Sequence, residues 1–348
     1  MGGNALAEFG ARRVSKDEAS KQYEIVSRVI GSLAGAEPPY RHEMVRAYRA
    51  KKDFGDLDVL VDRKLFATYP TEEILSAFEA AVGQKLPYHK NGPCLSIGLP
   101  LDEGYLQVDL ISSPAHEFDF TRGYFAWNDL GNLMGRIAHK MGLVLGHDAL
   151  RLPIRDKTHL FKEVVITRDF NQAIELLGYD PKRYNEGFDT LQDIYEFATS
   201  TPKFDPQIYA LENRNHTARV RDKKRPVYTA FLTWLDEHKG QVPEFQWNED
   251  KLVYLPEVFA KFPAAEKEYK AAYEEYHRNK AMASKFNGNV VAEVTGYQGK
   301  ELGEFIQHFR KRNADLFERL ESLTDEDIRE AIRGENKRYK ADTGPSLG

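Results

Sequence analysis

The chain has 348 residues, 41% of them hydrophobic, which is enough apolar surface for two or three compact units with real cores. Its formal net charge of -5 excludes a global attraction to nucleic acid or to an anionic membrane, so a polyanion site must be a local concentration of Lys and Arg. The single cysteine, Cys94, excludes an internal disulfide and a cysteine-rich zinc site, and no segment approaches the ~20 apolar residues of a bilayer-spanning helix; the expectation is a cytoplasmic protein without a membrane partner.

Ser15 and Glu18 form a capping-box pattern, and Tyr23, Ile25, Val26, Val29, Ile30 and Leu33 follow near helical spacing, which predicts an amphipathic helix over 15–33. Gly35 to Tyr40 ends it. Leu57 to Val61 reads as a short buried strand, and Thr71 opens a second helix through Val82. Cys94 to Leu99 and Gly104 to Ile111 flank Pro100-Leu101-Asp102-Glu103 as a hairpin, with Leu106, Val108 and Leu110 on one face and Gln107 and Asp109 on the other.

From Phe118 onward the pattern is helical, with Leu130, Leu133, Met134, Ile137 and Met141 spaced for a helix that stops at Gly142. A further helical segment runs from Asp169 to Leu177. The stretch from Gly187 to Trp234 is largely helical and holds the most basic run of the chain, Arg214 to Arg225. Lys261 to Tyr339 is helix-rich and charged, broken near Gly288 and between Gly296 and Gly303, and the tail from Ala341 has a fraying composition. The architecture is α+β at the front and helical at the back, divided as 1–35, 36–155, 156–260 and 261–348.

Asp56 and Asp58 are two apart in the first strand, so both carboxylates leave one face while Leu57, Val59 and Val61 anchor the other. Adjacent carboxylates repel and raise each other's pKa unless cations sit between them. A third carboxylate on a neighbouring strand, which Asp109 fits, allows two metal ions ~3.5–4 Å apart, one activating a hydroxyl and one binding a triphosphate. The plainer alternative is a turn before a strand, with Asp109 a surface residue.

Gly55-Asp56-Leu57-Asp58-Val59-Leu60 resembles the Gly-Asp-x-Asp-Val-Leu signature of DNA polymerase beta and its family X relatives, and Val108-Asp109-Leu110 resembles the strand of their third carboxylate. Tyr124-Phe125, Asn132 and Arg136 are similar to that family's Tyr-Phe, Asn and Arg series. The resemblance covers Arg49 to Leu150 and implies a nucleotidyltransferase palm with a mixed sheet, followed by a mostly helical C-terminal region. It implies Asp56, Asp58 and Asp109 as catalytic metal ligands for two Mg2+ ions, with Mn2+ as a substitute. It places Gly55 in the turn of the nucleotide site, Tyr124 and Phe125 against the sugar of an NTP or dNTP, Asn132 at its base edge and Arg136 near a templating strand.

The sequence also departs from that pattern. Val45-Arg46-Ala47 replaces the Gly-Ser loop that cradles the triphosphate, and only Arg49 matches a phosphate-contacting arginine there. Gly2 and Gly3 are a substitute cradle, similar to the Gly-Gly opening of bacterial CCA-adding enzymes and poly(A) polymerases, with glycines at a flexible terminus as the alternative. Ala126-Trp127 stands where the polymerases carry a Thr-Gly turn beside the sugar, which opens the choice between ribose and deoxyribose. The stretch from Phe286 to Gly303 resembles the helical tail module of CCA-adding enzymes.

Arg214, Arg219, Arg221, Lys223, Lys224 and Arg225, with Tyr209 and Tyr228 for stacking, read as a nucleic-acid footprint, a solvated charged face being the alternative. The expectation is transfer of a nucleoside monophosphate to the 3′-hydroxyl of a nucleic acid, by a terminal transferase acting on RNA (a tRNA-type acceptor) or by a small DNA polymerase. Nucleotidylation of a protein or small-molecule hydroxyl, and non-catalytic binding of nucleic acid or NTP, are the rival readings.

Overall fold

Ser15 starts the first helix by the expected reciprocal capping: its hydroxyl accepts the Glu18 N–H, and the Glu18 carboxylate accepts the Ser15 N–H at 2.9 Å. That helix, Lys16–Leu33, buries Ala19, Val26, Val29 and Ile30 in one core cluster with Ile74, Leu75 and Phe78 of the helix Thr71–Val82. In this computed structural model the described residues are 5–35, 39–156 and 159–343. The fold is α+β, with a mixed five-stranded sheet and a mostly helical C-terminal region. Two compact units form, one from the chain up to Pro153 with Glu163–Ala265, the other from Ile154–Lys162 with the chain from Glu266.

The five strands lie in the order His42–Met44, Asp56–Asp62, Tyr105–Ser113, Cys94–Pro100 and Tyr88–Asn91. Asp56–Asp62 runs parallel to Tyr105–Ser113, and the other three pairings are antiparallel. A parallel pair needs a crossover, which two helices and the antiparallel hairpin supply here. Strand alternation sends Leu57, Val59, Val61, Leu106, Val108 and Leu110 to the helix-covered face. Leu60, Cys94 and Ile111 join Phe118 in a separate cluster. Burial pushes the Cys94 thiol up to about 12, with the charge of Asp109 acting in the same direction.

Beyond the sheet, Phe118–Phe125 and Leu130–Lys140 are helices, as the periodicity predicts. The Tyr184 hydroxyl donates to the Gly123 carbonyl and its ring packs against Phe170, Phe188 and Phe197, which ties the first of these helices to the segments that follow. Between the helix that stops at Gly142 and the one that starts at Asp169, a stretch given no element from the sequence, Val144–Leu145, Leu150–Asp156 and His159–Thr167 form a three-stranded sheet. The reason is visible in Leu150, Leu152 and Ile154, which alternate as buried positions with period two around Pro153, a residue that helix interiors reject.

In the second unit Gly288–Thr295, Gly299–Arg312 and Asp325–Thr343 enclose Phe286, Val291, Phe305, Phe309, Ile328 and Ile332. Gly296 ends the first of these helices in the left-handed conformation (φ +77°), which supplies the break expected there. Among the described residues no helix is long and apolar enough to cross a membrane.

Two glycines of Leu130–Lys140 test how tightly the helices meet. A Cβ at Gly131 would collide with the Tyr124 carbonyl oxygen, whereas one at Gly135 meets nothing within 4 Å. Gly131→Ala should destabilise the protein by about 1–3 kcal/mol through overpacking, while Gly135→Ala should be neutral or stabilising by up to about 1 kcal/mol. Denaturant unfolding of both variants measures the contrast, and equal effects would contradict this packing.

Candidate metal centre and adjoining pocket

The parallel register sets Asp58 directly beside Asp109 and Asp56 beside Gln107. Since Asp56 and Asp58 leave the same face of their strand, the three carboxylates converge, with one oxygen from each lying within 4.8 Å of the others. Gly55 precedes them in close quarters, for a Cβ there would lie 2.8 Å from Arg13 Nη1. Asp109 is 3% exposed and accepts two hydrogen bonds from the Gln107 amide, at 2.9 and 3.1 Å. Gln107 is itself fully buried, and its carbonyl oxygen accepts the Leu6 N–H at 3.1 Å. The signal for this contact in the sequence is the strand alternation that puts Gln107 on the face of Asp109.

Burial, then the neighbouring Asp56, pushes the Asp58 carboxyl up to about 7. Burial and the charge of Asp109 raise Asp56 as well, and burial lowers Lys51 against the pull of Asp56. Asp56 Oδ2 and Asp58 Oδ1 are buried without a hydrogen-bond partner. Among the described residues none of the three carboxylates forms an ion pair with a basic side chain. Converging oxygen donors with unsatisfied atoms and mutual repulsion fit a hard divalent cation such as Mg2+ or Mn2+.

The cluster opens on a cavity of about 290 Å³. Tyr124, Phe125 and Asn132 line it from the two helices beyond the sheet. Arg46 and Lys51 line it from the loop ahead of Asp56, and Asn128, Asp129 and Arg225 complete the polar wall. The Arg46 guanidinium lies 4.9 Å over the Trp127 ring, its Nε is buried without a partner, and the Arg46 carbonyl accepts the Trp127 N–H at 2.7 Å. Trp127 and Asn128 both adopt left-handed backbone (φ +64° and +61°), so the turn beside the pocket is made without glycine at a conformational cost.

Other expected site residues lie elsewhere. Gly2 and Gly3 fall outside the described residues. Arg49 does not reach the cavity: its own N–H and that of Ala50 pair with the Phe188 and Asp189 carbonyls, and its side chain binds Asp189 at 2.7 Å and the Glu186 carbonyl. Arg136 donates to the Ile208 carbonyl at 3.2 and 3.1 Å, beside a neighbouring cavity.

The basic run divides. Arg214 is buried against Asp222 at 2.7 Å, Arg221 shares that carboxylate at 2.9 Å, and Arg225 pairs with Asp129 at 2.7 Å. Arg219, Lys223 and Lys224 stay exposed. Tyr209 and Tyr228 offer no ring for stacking on a base, because both are fully buried, with the Tyr228 hydroxyl donating to the Tyr209 carbonyl and the Tyr209 hydroxyl to that of Leu133.

The metal-free protein should show an inverted acid response. Folded Asp58 keeps its proton up to about pH 7, whereas the unfolded chain releases it near pH ~4. The native state therefore binds more protons over that interval, and stability falls as pH rises through it. Thermal unfolding without divalent ions should show this loss for the wild type and a flatter profile for Asp58→Asn. Added Mn2+ should restore the wild type at neutral pH; identical profiles for the two proteins would contradict the assignment.

Comparison with protein-family models finds none that matches the chain, and comparison with curated proteins finds no match either.

Proposed function

We propose that the chain is a Mg2+-dependent nucleotidyltransferase of the polymerase beta type, moving a nucleoside monophosphate from an NTP or dNTP to a hydroxyl and releasing pyrophosphate. The observation that carries the reading is the side-by-side register of Asp58 and Asp109, which with Asp56 gathers three carboxylates, two of which, Asp56 and Asp58, line a cavity and each carry a buried unpartnered oxygen. Asp56, Asp58 and Asp109 would hold the metal, whose chemistry is to neutralise phosphate charge and lower the pKa of the attacking hydroxyl.

The chain's own groups supply the positioning. Gln107, anchored by the Leu6 N–H, fixes the Asp109 carboxylate. Arg46 and Lys51 bring positive charge to the triphosphate side of the cavity, the role vacated by the missing Gly-Ser loop. Tyr124 and Phe125 offer aromatic faces for the sugar, and Asn128 of the left-handed turn lines the wall with them. Attack of the acceptor oxygen on the α-phosphorus, with the hydroxyl proton passing to Asp109, breaks the bond to the bridging oxygen, and pyrophosphate leaves.

A nucleic-acid 3′ end is the acceptor favoured by the exposed Arg219, Lys223 and Lys224, which adjoin the cavity-lining Arg225 in sequence. Nucleotidylation of a protein or small molecule is the second reading, favoured by the commitment of Arg214, Arg221 and Arg225 to Asp222 and Asp129.

Incubation with Mg2+, each labelled NTP or dNTP, and RNA, DNA or primer-template tests both. Asp56→Asn with Asp58→Asn should lower transfer by at least on the order of 10²–10³-fold, and undiminished transfer by that double variant would exclude the assignment. Gln107→Leu should lower it by roughly 10–100-fold. Alanine at Arg219, Lys223 and Lys224 should weaken nucleic-acid acceptors selectively and reduce the salt dependence of their binding; if transfer is untouched, the second reading is favoured.

A further inference from the structure

A second cavity lies behind the helix Leu130–Lys140, sharing Tyr124 and Asn132 with the carboxylate pocket. Gly135 and Arg136 line it from the helix, and Arg214 and Arg221 line it from the basic run. The Arg214 side chain is 3% exposed and is held by Asp222 through Nη2 alone; its Nε and Nη1 are buried with no hydrogen-bond partner. The Asn132 amide nitrogen is buried and unpaired as well.

The lining is therefore rich in donors, and among the described residues no carboxylate contributes to it. Asp222 supplies one negative charge against both Arg214 and Arg221, and Arg136 donates to the Ile208 backbone carbonyl with no carboxylate partner among the described residues, so positive charge is in surplus there. A buried guanidinium with unsatisfied N–H groups is unfavourable until an acceptor arrives, and its planar fork matches the oxygens of a phosphate.

We propose that this cavity is an anion site that takes a phosphate group, separate from the carboxylate cluster. Two sources share that chemistry, a backbone phosphate of the acceptor and free phosphate. The anion site itself does not depend on the transferase reading; only its assignment to an acceptor does.

Calorimetric titration of the full chain with inorganic phosphate, without divalent ions, tests the site apart from catalysis. Wild type should bind saturably, and so should Asp56→Asn with Asp58→Asn. Gly135→Leu places a side chain where a Cβ meets open space and should weaken binding at least about tenfold, or roughly 1.4 kcal/mol, with the melting temperature unchanged or raised. Arg214→Lys, which keeps a charge for Asp222 but loses the Nε and Nη1 donors, should weaken it comparably and covers the case in which Gly135→Leu fails to fold.

No binding by wild type, or equal binding by wild type and Gly135→Leu, would overturn the proposal. Displacement of phosphate by a dinucleotide diester in wild type assigns the site to an acceptor backbone, and absence of displacement assigns it to free phosphate. Phosphate binding without any nucleotidyl transfer would leave this site standing while removing the proposed function.

Discussion

Three carboxylates crowded into one half-buried corner are the constraint on which the rest of this molecule depends. Each of Asp56, Asp58 and Asp109 has lost water to the fold, and each faces the others' charge, so the arrangement is unfavourable in isolation. The protein holds it by making the opposite face of the same strands its main core. Leu57, Val59, Val61, Leu106, Val108 and Leu110 are all buried beneath two helices, and a one-residue slip of either strand would turn that apolar set outward. The register that satisfies the core is the same register that forces Asp58 against Asp109.

The surroundings extend this logic. Gln107 cannot leave the Asp109 face without losing its buried bonds to Asp109 and Leu6, so the segment ahead of the first helix is linked to the carboxylate cluster through an amide side chain. Across the cavity, Arg46 holds the Trp127-Asn128 turn by its carbonyl and stacks its guanidinium on the Trp127 ring. The strain of two successive left-handed residues is thereby maintained next to the pocket, where a shaped wall has a use.

Much of this was legible in the sequence because it rests on local period. The two-residue spacing of Asp56 and Asp58, the alternation around Asp109 and the reciprocal cap at Ser15 need no tertiary knowledge, and all three take the expected local form. What escaped was set by partners distant in the chain. Arg49 looked free for phosphate until Asp189, 140 residues on, claimed it. The run from Arg214 to Arg225 looked like an exposed basic face, yet Asp222 and Asp129 pair with three of its arginines and one of them, Arg214, is buried. Tyr209 and Tyr228 flank the basic run in sequence as stacking platforms would, but spacing does not say which face a neighbouring segment will cover. Leu150, Leu152 and Ile154 carried a visible period of two, obscured by the helical signal on either side.

The account stands on the carboxylate cluster being a metal site that nucleotide completes. Counting bound Mn2+ by electron paramagnetic resonance, with and without a non-hydrolysable NTP analogue, measures this directly. The account predicts that the analogue raises occupancy to two ions per chain, as a two-metal site requires, and that Asp58→Asn abolishes the increase. Absence of Mn2+ binding, or the same count in wild type and Asp58→Asn, would contradict it.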